Sequence, residues 1–224
     1  RILTPECFIS GRILLSAGRI QLIEGDLVAT SRVLQEPGAI LLPGFIDTHV
    51  HGGAGFDIMQ GADAASQIAR CHAQHGTTAL LATTMTAPMA DIEKALRSLA
   101  PACQTRPAQG ARVLGVHLEG PYINPGKLGA QPAFAIPLSM QEVEALHALA
   151  PIRLITLAPE IPGHMACIGP LSDAGFRVQI GHSAGSYEEG HAALEHGAAG
   201  FTHLFNAMSG LHHRAPGMVG AALA

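Results

Sequence analysis

The chain has 224 residues, of which 48% are hydrophobic and 13% are charged. This length is enough to bury one large core, and so apolar a composition favours strands covered on both faces over a sheet with one face in water. The formal net charge of -4 at pH 7 argues against a broad surface for nucleic acid or an anionic membrane. A small phosphorylated metabolite remains compatible, because one or two local basic groups would hold it.

The cysteines are scattered and form no CxxC pair; they are Cys7, Cys71, Cys103 and Cys167. This distribution favours free thiols in a reducing compartment over disulfides or a zinc knuckle. The sequence shows neither a basic-then-apolar leader nor an uncharged stretch of membrane-spanning length. We therefore expect a cytoplasmic protein with no membrane partner.

Residues 1–40 differ in pattern from the rest of the chain. They contain short β-like segments, RILLSAG, RIQLIEGDL and the start of GAILL, separated by Gly and Asp turns. Such segments predict part of a small, sandwich-like β domain. Residues 41–224 are the predicted main domain.

The main domain alternates apolar segments with segments of helical spacing. The predicted strands are Leu41–Asp47, Thr77–Thr83, Arg112–Leu118, Ile152–Leu157, Phe176–Ile180 and Ala199–Thr202. The predicted helices are Ala62–His75, Ala90–Leu99, Ser139–Leu149 and a segment from Ser186 to near Gly197. Two of these helices open with capping-box patterns, Ser139 with Glu142 and Ser186 with Glu189. Repeated strand–helix units indicate a parallel sheet with crossover helices.

This alternation predicts an α/β fold, a (β/α)8 TIM-type barrel truncated after about six strands. The chain starts at Arg1 without a methionine and stops on the apolar MVGAALA, so we expect a longer protein with about two further units. A doubly wound open sheet is the alternative, but it predicts a glycine-rich phosphate loop after the first strand. That position holds DTHVHGG instead.

His49 and His51 follow the first predicted strand and are separated by one residue. Side chains at i and i+2 of an extended segment point the same way, so both imidazoles can reach one ion. The alternative is two hydrogen-bonded polar residues at a strand end. The flexible Gly52 and Gly53 that follow favour the ligand pair.

Three further candidate ligands, Glu119, His182 and His203, also follow predicted strands. Alone, each has an ordinary alternative: a carboxylate paired with Lys or Arg, or a hydrogen-bonded core histidine. Together they offer two nitrogens and one oxygen, a set that leaves a metal position open for an activated water. No GxSxG serine-hydrolase motif competes for this chemistry. His117 lies one layer deeper, in a predicted supporting or packing role.

The segment 203–217, HLFNAMSGLHHRAPG, predicts a long loop over the strand ends. Asn206, backbone amides near Ala207 and the guanidinium of Arg214 can hold an anionic group there. The alternative is an ordinary solvated loop, and His212 and His213 are not assigned to the metal. For the remaining histidines, which include His164, surface or capping roles are expected.

Four strings together resemble the N-acetylglucosamine-6-phosphate deacetylases of the amidohydrolase superfamily: PGFIDTHVHG, GVHLEGPYINPGKLGAQ, IGHSAGS and THLFNAMSGLHHRAPGMVGAAL. The resemblance spans essentially the whole chain. It implies metal-dependent hydrolysis of N-acetyl-D-glucosamine 6-phosphate to acetate and D-glucosamine 6-phosphate, in amino-sugar catabolism. It also implies a homodimer, because the arginine matching Arg214 reaches across a subunit interface in relatives.

The resemblance also implies roles for individual residues. Glu119, His182 and His203 would bind the principal metal, and His49 and His51 a second ion, although some members lack this pair and use one metal. Zinc suits the nitrogen-rich set, while iron, cobalt or manganese also fit. The implied substrate contacts are Ala130, Gln131, Asn206, Ala207 and Arg214, with Gln131 where other members have His.

One departure concerns the general acid–base aspartate that this family carries after its eighth strand. We expect that residue beyond residue 224, so these residues alone could bind metal without turnover. Two alternatives therefore stay open: another amidohydrolase acting on a cyclic amide or N-acyl amine, and an inactive metal-binding fragment.

Overall fold

The computed structural model describes residues 1–9, 11–23 and 40–224. The chain divides into two compact units, Arg1–Gly44 and Phe45–Ala224. Part of the predicted N-terminal β pattern, at residues 24–39, lies outside the described residues. No helix in the described ranges is both long and apolar enough to cross a membrane.

The first unit contains two short antiparallel strand pairs. The turn between the third and fourth strands, Ala17–Gly18, has positive φ at both residues (51° and 72°), as a tight hairpin turn requires. The strands are β1 (Ile2–Leu3), β2 (Phe8–Ile9), β3 (Ile13–Ser16) and β4 (Arg19–Ile23). Leu41 returns to form a single bridge with Ile2.

The second unit is built on a five-stranded parallel sheet. Its strands are β5 (Phe45–Val50), β8 (Thr77–Thr83), β9 (Arg112–Glu119), β10 (Ile152–Leu157) and β11 (Arg177–Ile180). Their order across the sheet is β11-β10-β9-β8-β5. Each of these strands therefore pairs with the sheet strand that precedes or follows it along the chain, as in the wall of a barrel. A small hairpin, β6 (Gly52–Gly53) and β7 (Phe56–Asp57), follows the first of them. The predicted α/β class with parallel strands is confirmed.

Helices connect the strands of this sheet and are followed by a last helix at residues 217–223. They are α1 (Ala62–Ala73), α2 (Met89–Gln104), α3 (Met140–Leu149), α4 (His164–Asp173), α5 (Tyr187–Glu195) and α6 (Gly217–Leu223). Ser186 forms the predicted capping box with Glu189, and the Ser139 side chain accepts from the Glu142 amide. Helix α4 was not predicted, because it lacks a side-chain cap and contains Pro170.

Two predicted strands differ from the structure by more than one residue. The first begins at Phe45 rather than Leu41 and continues to Val50, because Pro43 and Gly44 precede it. The sixth, predicted at Ala199–Thr202, is reduced to one bridge between Phe201 and Ile180. The reason is local: Gly200 has a φ of 155° and His203 a φ of 33°, so the extended backbone is interrupted on both sides of the bridge.

The central strands are buried on both faces, as their continuous apolar runs predict. In β10, five of six residues are buried, including Leu154, Ile155 and Leu157. The outer face of the sheet packs against helix residues such as Ile92 and Leu96, which are fully buried. Because all five strands are parallel, their carboxyl ends meet at one edge of the sheet, where polar side chains collect.

His164, for which a surface or capping role was predicted, is instead fully buried. Its Nε2 accepts a hydrogen bond from the Leu138 amide at 2.8 Å, and its Nδ1 lies 2.9 Å from the Ala158 carbonyl oxygen. The ring is therefore neutral, with the proton on Nδ1, and burial lowers its pKa. Protonating Nε2 would place two donors face to face.

We expect His164 to make the protein less stable in acid. Because its pKa is lowered in the fold, the unfolded chain binds a proton below about pH 6.5 that the folded chain does not. The free energy of unfolding should then fall with decreasing pH, by at most ~1.4 kcal/mol per pH unit for this proton. Urea unfolding of the metal-free protein between pH 5 and 7 would test this by comparison with His164→Gln, whose amide keeps a donor and an acceptor.

In His164→Gln the dependence on pH should be weaker, whereas the exposed His196→Gln should behave as wild type. Equal pH dependence in all three proteins would show that His164 does not contribute.

Candidate metal centre

The predicted ligands all come from the carboxyl-end edge of the parallel sheet. His49 lies in β5 and His51 directly after it, and Glu119 is the last residue of β9. His182 follows β11 by two residues, and His203 follows the Phe201 bridge by two. Residues from distant parts of the sequence thus reach one location because parallel strands end together.

One oxygen of Glu119, Oε1, faces three imidazoles. The Nε2 atoms of His203 and His182 lie 3.0 Å and 3.1 Å from it, and Nε2 of His49 lies 3.8 Å away. The Nε2 atoms of His182 and His203 are 3.0 Å apart. In the described part of the chain, His49, Glu119 and His203 each offer a ligand atom within 4.8 Å of the others.

The other oxygen, Oε2, faces a different pair of groups. Nε2 of His51 lies 2.8 Å from Oε2. The side-chain amide of Gln131 donates to the same oxygen at 2.6 Å. The two oxygens of Glu119 are therefore used separately, one toward His49, His182 and His203 and one toward His51 and Gln131.

Glu119 is a buried anion, only 1% exposed. Burial by itself raises its pKa, but the hydrogen bonds from His182, His203 and His51 together outweigh burial and hold the pKa well below the usual range. The hydrogen bond to Glu119 in turn raises the pKa of His203 against the effect of burial. In the metal-free protein the carboxylate is thus ionised, and its charge favours a proton on His203.

The outer nitrogens of two histidines are held by backbone carbonyls. Nδ1 of His182 lies 2.8 Å from the Lys127 carbonyl oxygen, and Nδ1 of His203 lies 3.2 Å from that of Asn206. A carbonyl accepts only from an N–H, so both rings carry a proton on Nδ1 and direct Nε2 toward Glu119. The role of Lys127 could not be predicted from the sequence, because a backbone carbonyl has no residue-type signature.

Both rings are attached to backbone in an uncommon conformation. The φ angles of His182 and His203 are 49° and 33°. Ala207, whose carbonyl accepts from the Ser183 amide at 3.1 Å, also has a positive φ of 51°. Left-handed backbone costs about 1–2 kcal/mol at a non-glycine residue, so the surrounding hydrogen bonds must hold it.

His117 lies behind the cluster, in the layer predicted for it. Its Nε2 contacts Thr156 Oγ1 at 2.7 Å, and its Nδ1 lies 3.0 Å from the Thr48 carbonyl oxygen. The ring is 1% exposed, and burial lowers its pKa to about 3. A neutral His117, 3.3 Å from His49 Nδ1, supports that ring without adding charge.

Residues 40–214 match the amidohydrolase family. The chain belongs to the amidohydrolase family. Its metal-ligand candidates all fall within the matched range.

Two curated relatives of this amidohydrolase act on phosphorylated amino sugars, according to their names. An N-acetylgalactosamine-6-phosphate deacetylase of Escherichia coli O157:H7 is 42% identical over 228 residues, covering 100% of this chain and 59% of that protein. An N-acetylglucosamine-6-phosphate deacetylase of Lysinibacillus sphaericus is 40% identical over 194 residues, covering 85% of this chain and 50% of that protein. The chain therefore spans only half or slightly more of each relative's length.

A solved structure with the same fold is the N-acetyl-D-glucosamine-6-phosphate deacetylase mutant of Mycobacterium smegmatis in complex with N-acetyl-D-glucosamine-6-phosphate. It is 30% identical with a TM-score of 0.81, over 93% of this chain and 55% of that one. The N-acetylglucosamine-6-phosphate deacetylase of Pasteurella multocida superposes with a TM-score of 0.83 at 28% identity, over 99% of this chain and 60% of that one.

The residues of this amidohydrolase cluster fit a divalent metal ion. Its donor set consists of four imidazoles and one carboxylate, the ligand types that zinc and similar ions bind. Within the described residues, Nδ1 of His51 is buried without a hydrogen-bond partner. Among the described residues, the ion-pair partners of Glu119 are all histidines, and no arginine or lysine pairs with it.

Gln131 is held in one orientation at this cluster. It is 7% exposed, and its Oε1 accepts from the Thr86 amide at 2.6 Å. Since an N–H needs an acceptor, the amide nitrogen of Gln131 must point the other way, toward Glu119. Gln131 therefore contacts the carboxylate directly, an arrangement that the sequence did not indicate.

The other predicted substrate-contact residues are more exposed than Gln131. Ala130, Asn206 and Arg214 are exposed, and Ala207 is half-buried. Within the described residues the Arg214 guanidinium makes no hydrogen bond or ion pair, and its backbone amide donates to His212 Nδ1. The structure thus brings the metal-ligand candidates together but leaves Arg214 outside their cluster.

We expect Gln131→Ala to destabilise the metal-free protein. The substitution leaves the buried Thr86 amide without its acceptor, which costs about 1–3 kcal/mol. It also removes one of the two donors to Glu119 Oε2, which keeps only His51. Denaturant titration would measure the loss against Gln104→Ala, at the exposed end of α2, which should be nearly neutral. An unchanged free energy of unfolding in Gln131→Ala would contradict the role of the amide described above.

Proposed function

We propose that this chain forms the metal- and substrate-binding part of a hydrolase that removes acetate from N-acetyl-D-glucosamine 6-phosphate, giving D-glucosamine 6-phosphate. The observation that carries the proposal is the buried Glu119 carboxylate, surrounded by His49, His51, His182 and His203 at the strand ends. The names of the relatives and the substrate bound in the Mycobacterium smegmatis structure support the substrate class.

Glu119 Oε1, His182 and His203 would hold the principal divalent metal. His49 and His51 approach the same carboxylate and would hold a second ion where two are bound. Zinc is proposed on the nitrogen-rich donor set, with iron, cobalt or manganese as substitutes. Such an ion, when bound, polarises an amide carbonyl and lowers the pKa of water toward neutrality.

The chain's own residues would bind and orient the rest of the reaction. Glu119 remains ionised at neutral pH because its pKa is held low, and it can position a water molecule through its oxygens. Gln131 has a second amide hydrogen that can donate to the sugar. Proton delivery to the leaving amine is assigned to an aspartate of the complete protein.

The phosphate would be bound on the loop that follows His203. Asn206, the Ala207 amide and Arg214 present donors there, and the exposed guanidinium of Arg214 suits a bidentate contact with phosphate. We propose a homodimer in which Arg214 serves the neighbouring subunit, since it stands outside its own cluster. A cytoplasmic location is proposed on the free thiols and the metabolite substrate.

A second candidate substrate is N-acetyl-D-galactosamine 6-phosphate. One relative that covers 100% of this chain is named for that activity. The two sugars differ only in the configuration at C4, and none of the substrate contacts proposed above is assigned to that carbon. Acetate release by the full-length protein from each epimer, compared as kcat/KM, decides between them.

We expect Glu119→Gln to abolish turnover and metal binding together. A neutral amide removes the charge that attracts the cation, and since even residues behind the ligands contribute roughly 10–100-fold to metal affinity, the loss should exceed this range. Acetate release and metal content of the purified full-length protein are the measurements. Glu188→Gln, on the exposed surface of α5, should leave both unchanged; normal turnover in Glu119→Gln would contradict the mechanism.

We expect Arg214→Ala to weaken the binding of the phosphorylated substrate only. Loss of a charged hydrogen-bond donor costs about 1.5–3 kcal/mol, so KM should rise by roughly 10–150-fold. Activity toward unphosphorylated N-acetylglucosamine should not change, and Arg97→Ala on α2 is the matched control. Equal cleavage of phosphorylated and unphosphorylated sugar by the wild type would remove the proposed role of Arg214.

A further inference from the structure

Glu160 lies in the turn after β10 and has no contact with the metal-ligand candidates themselves. Its half-buried carboxylate nevertheless accepts three hydrogen bonds. Oε1 accepts from Asn124 Nδ2 at 2.9 Å and from the Ala184 amide at 2.6 Å. Oε2 accepts from Ser183 Oγ at 2.6 Å. The carboxylate thus connects the segment after β9 with the segment after β11.

The first of these connections leads to the imidazole of His182. The backbone amide of Asn124 donates to the His182 carbonyl at 3.0 Å. Asn124 also forms a tight turn, because its Oδ1 accepts from the Gly126 amide at 2.7 Å and its carbonyl accepts from the Lys127 amide at 2.9 Å. This turn places the Lys127 carbonyl against His182 Nδ1. By holding Asn124, Glu160 fixes both the backbone and the ring of His182.

The second connection leads to the loop that carries His203. Ser183 and Ala184, which Glu160 holds, follow His182 directly. The Ser183 amide donates to the Ala207 carbonyl at 3.1 Å, and the Ser209 amide donates to the Ser183 carbonyl at 3.0 Å. A displacement of Ser183 would therefore move the loop after His203 as well.

The backbone of His182 makes such restraint necessary. Its φ of 49° is an uncommon conformation for a non-glycine residue, and neighbouring contacts must offset the steric cost of holding it. Glu160 supplies two such restraints. It holds Asn124, which donates to the His182 carbonyl, and it holds Ser183, the residue that follows His182 in sequence. Without them the backbone would relax and Nε2 would turn away from Glu119.

We propose that Glu160 is a positioning residue that holds His182 in its metal-binding orientation. This inference rests on the metal centre of the proposed function and not on the identity of its substrate. Glu160 touches neither a metal ligand's side chain nor the space between Glu119 and its histidines. Its effect would pass through Asn124, Ser183 and the Lys127 carbonyl.

The test measures the affinity of the full-length protein for Co²⁺, by competition with a chelator, together with the visible spectrum of the bound ion. In Glu160→Ala, affinity should fall by about 10–100-fold, as is usual for residues that orient a ligand, and the spectrum should change because His182 is displaced. Glu160→Gln should stay near wild type, since its Oε1 can accept from Asn124 and Ala184 while its amide donates to Ser183 Oγ. Glu144→Ala, exposed on α3, is the matched control.

Several outcomes would overturn the inference. One is wild-type affinity and an unchanged spectrum in Glu160→Ala. Another is an equal loss in Glu160→Gln and Glu160→Ala, since charge rather than the hydrogen bonds would then matter. If Glu160→Ala does not fold, Asn124→Ala decides: unchanged Co²⁺ affinity in a variant whose metal-free melting temperature is near wild type sinks the proposal.

The two proposals fail in different ways. If the wild-type protein binds no divalent cation, the proposed metal centre itself is wrong. If the wild type binds Co²⁺ and releases acetate but Glu160 variants bind it equally well, only the role of Glu160 is wrong.

Discussion

The burial of one carboxylate, that of Glu119 at 1% exposure, is the constraint on which the unit Phe45–Ala224 is organised. An ionised group removed from water is costly unless charged or hydrogen-bonding partners surround it. Within the described ranges, the partners of Glu119 are four imidazoles and one amide. These partners come from four separate segments, since His49 and His51 share the end of β5, and the requirement of one side chain thus brings distant segments together. The same requirement makes the cluster a site for a cation, because a metal ion replaces protons that the imidazoles would otherwise carry.

The sequence predicted most of the parallel sheet because its strands are buried on both faces. Thr77–Thr83 and Ile152–Leu157 have the predicted bounds, since uninterrupted apolar runs and flanking turn residues mark such strands clearly. Helix α4 was missed because its start has no capping side chain and Pro170 interrupts its pattern. The sixth strand was predicted from composition alone, whereas the positive φ of His203 and the conformation of Gly200 limit it to one bridge. Such backbone details depend on tertiary contacts that composition does not encode.

For the site, the sequence indicated which side chains would converge but not how they would be held. Imidazoles and a carboxylate after apolar runs are recognisable, and Glu119, His182 and His203 do lie together. The contact of Gln131 with Glu119 was not foreseen, because it depends on the position of the Thr86 amide. Nor were the Lys127 carbonyl and the carboxylate of Glu160, whose partners are 23 residues or more away in sequence. Supporting contacts of this kind follow from the fold and carry no local motif.

The left-handed backbone of His182 and His203 has a consequence for the evolution of such proteins. Glycine would adopt these angles at no steric cost, so replacing either histidine by glycine would relieve the backbone strain while deleting a ligand. Selection for heat resistance alone would therefore tend to erode the centre, and only selection for chemistry keeps imidazoles there. A lineage freed from its catalytic task should lose these two histidines earlier than the apolar residues of the strands beneath them.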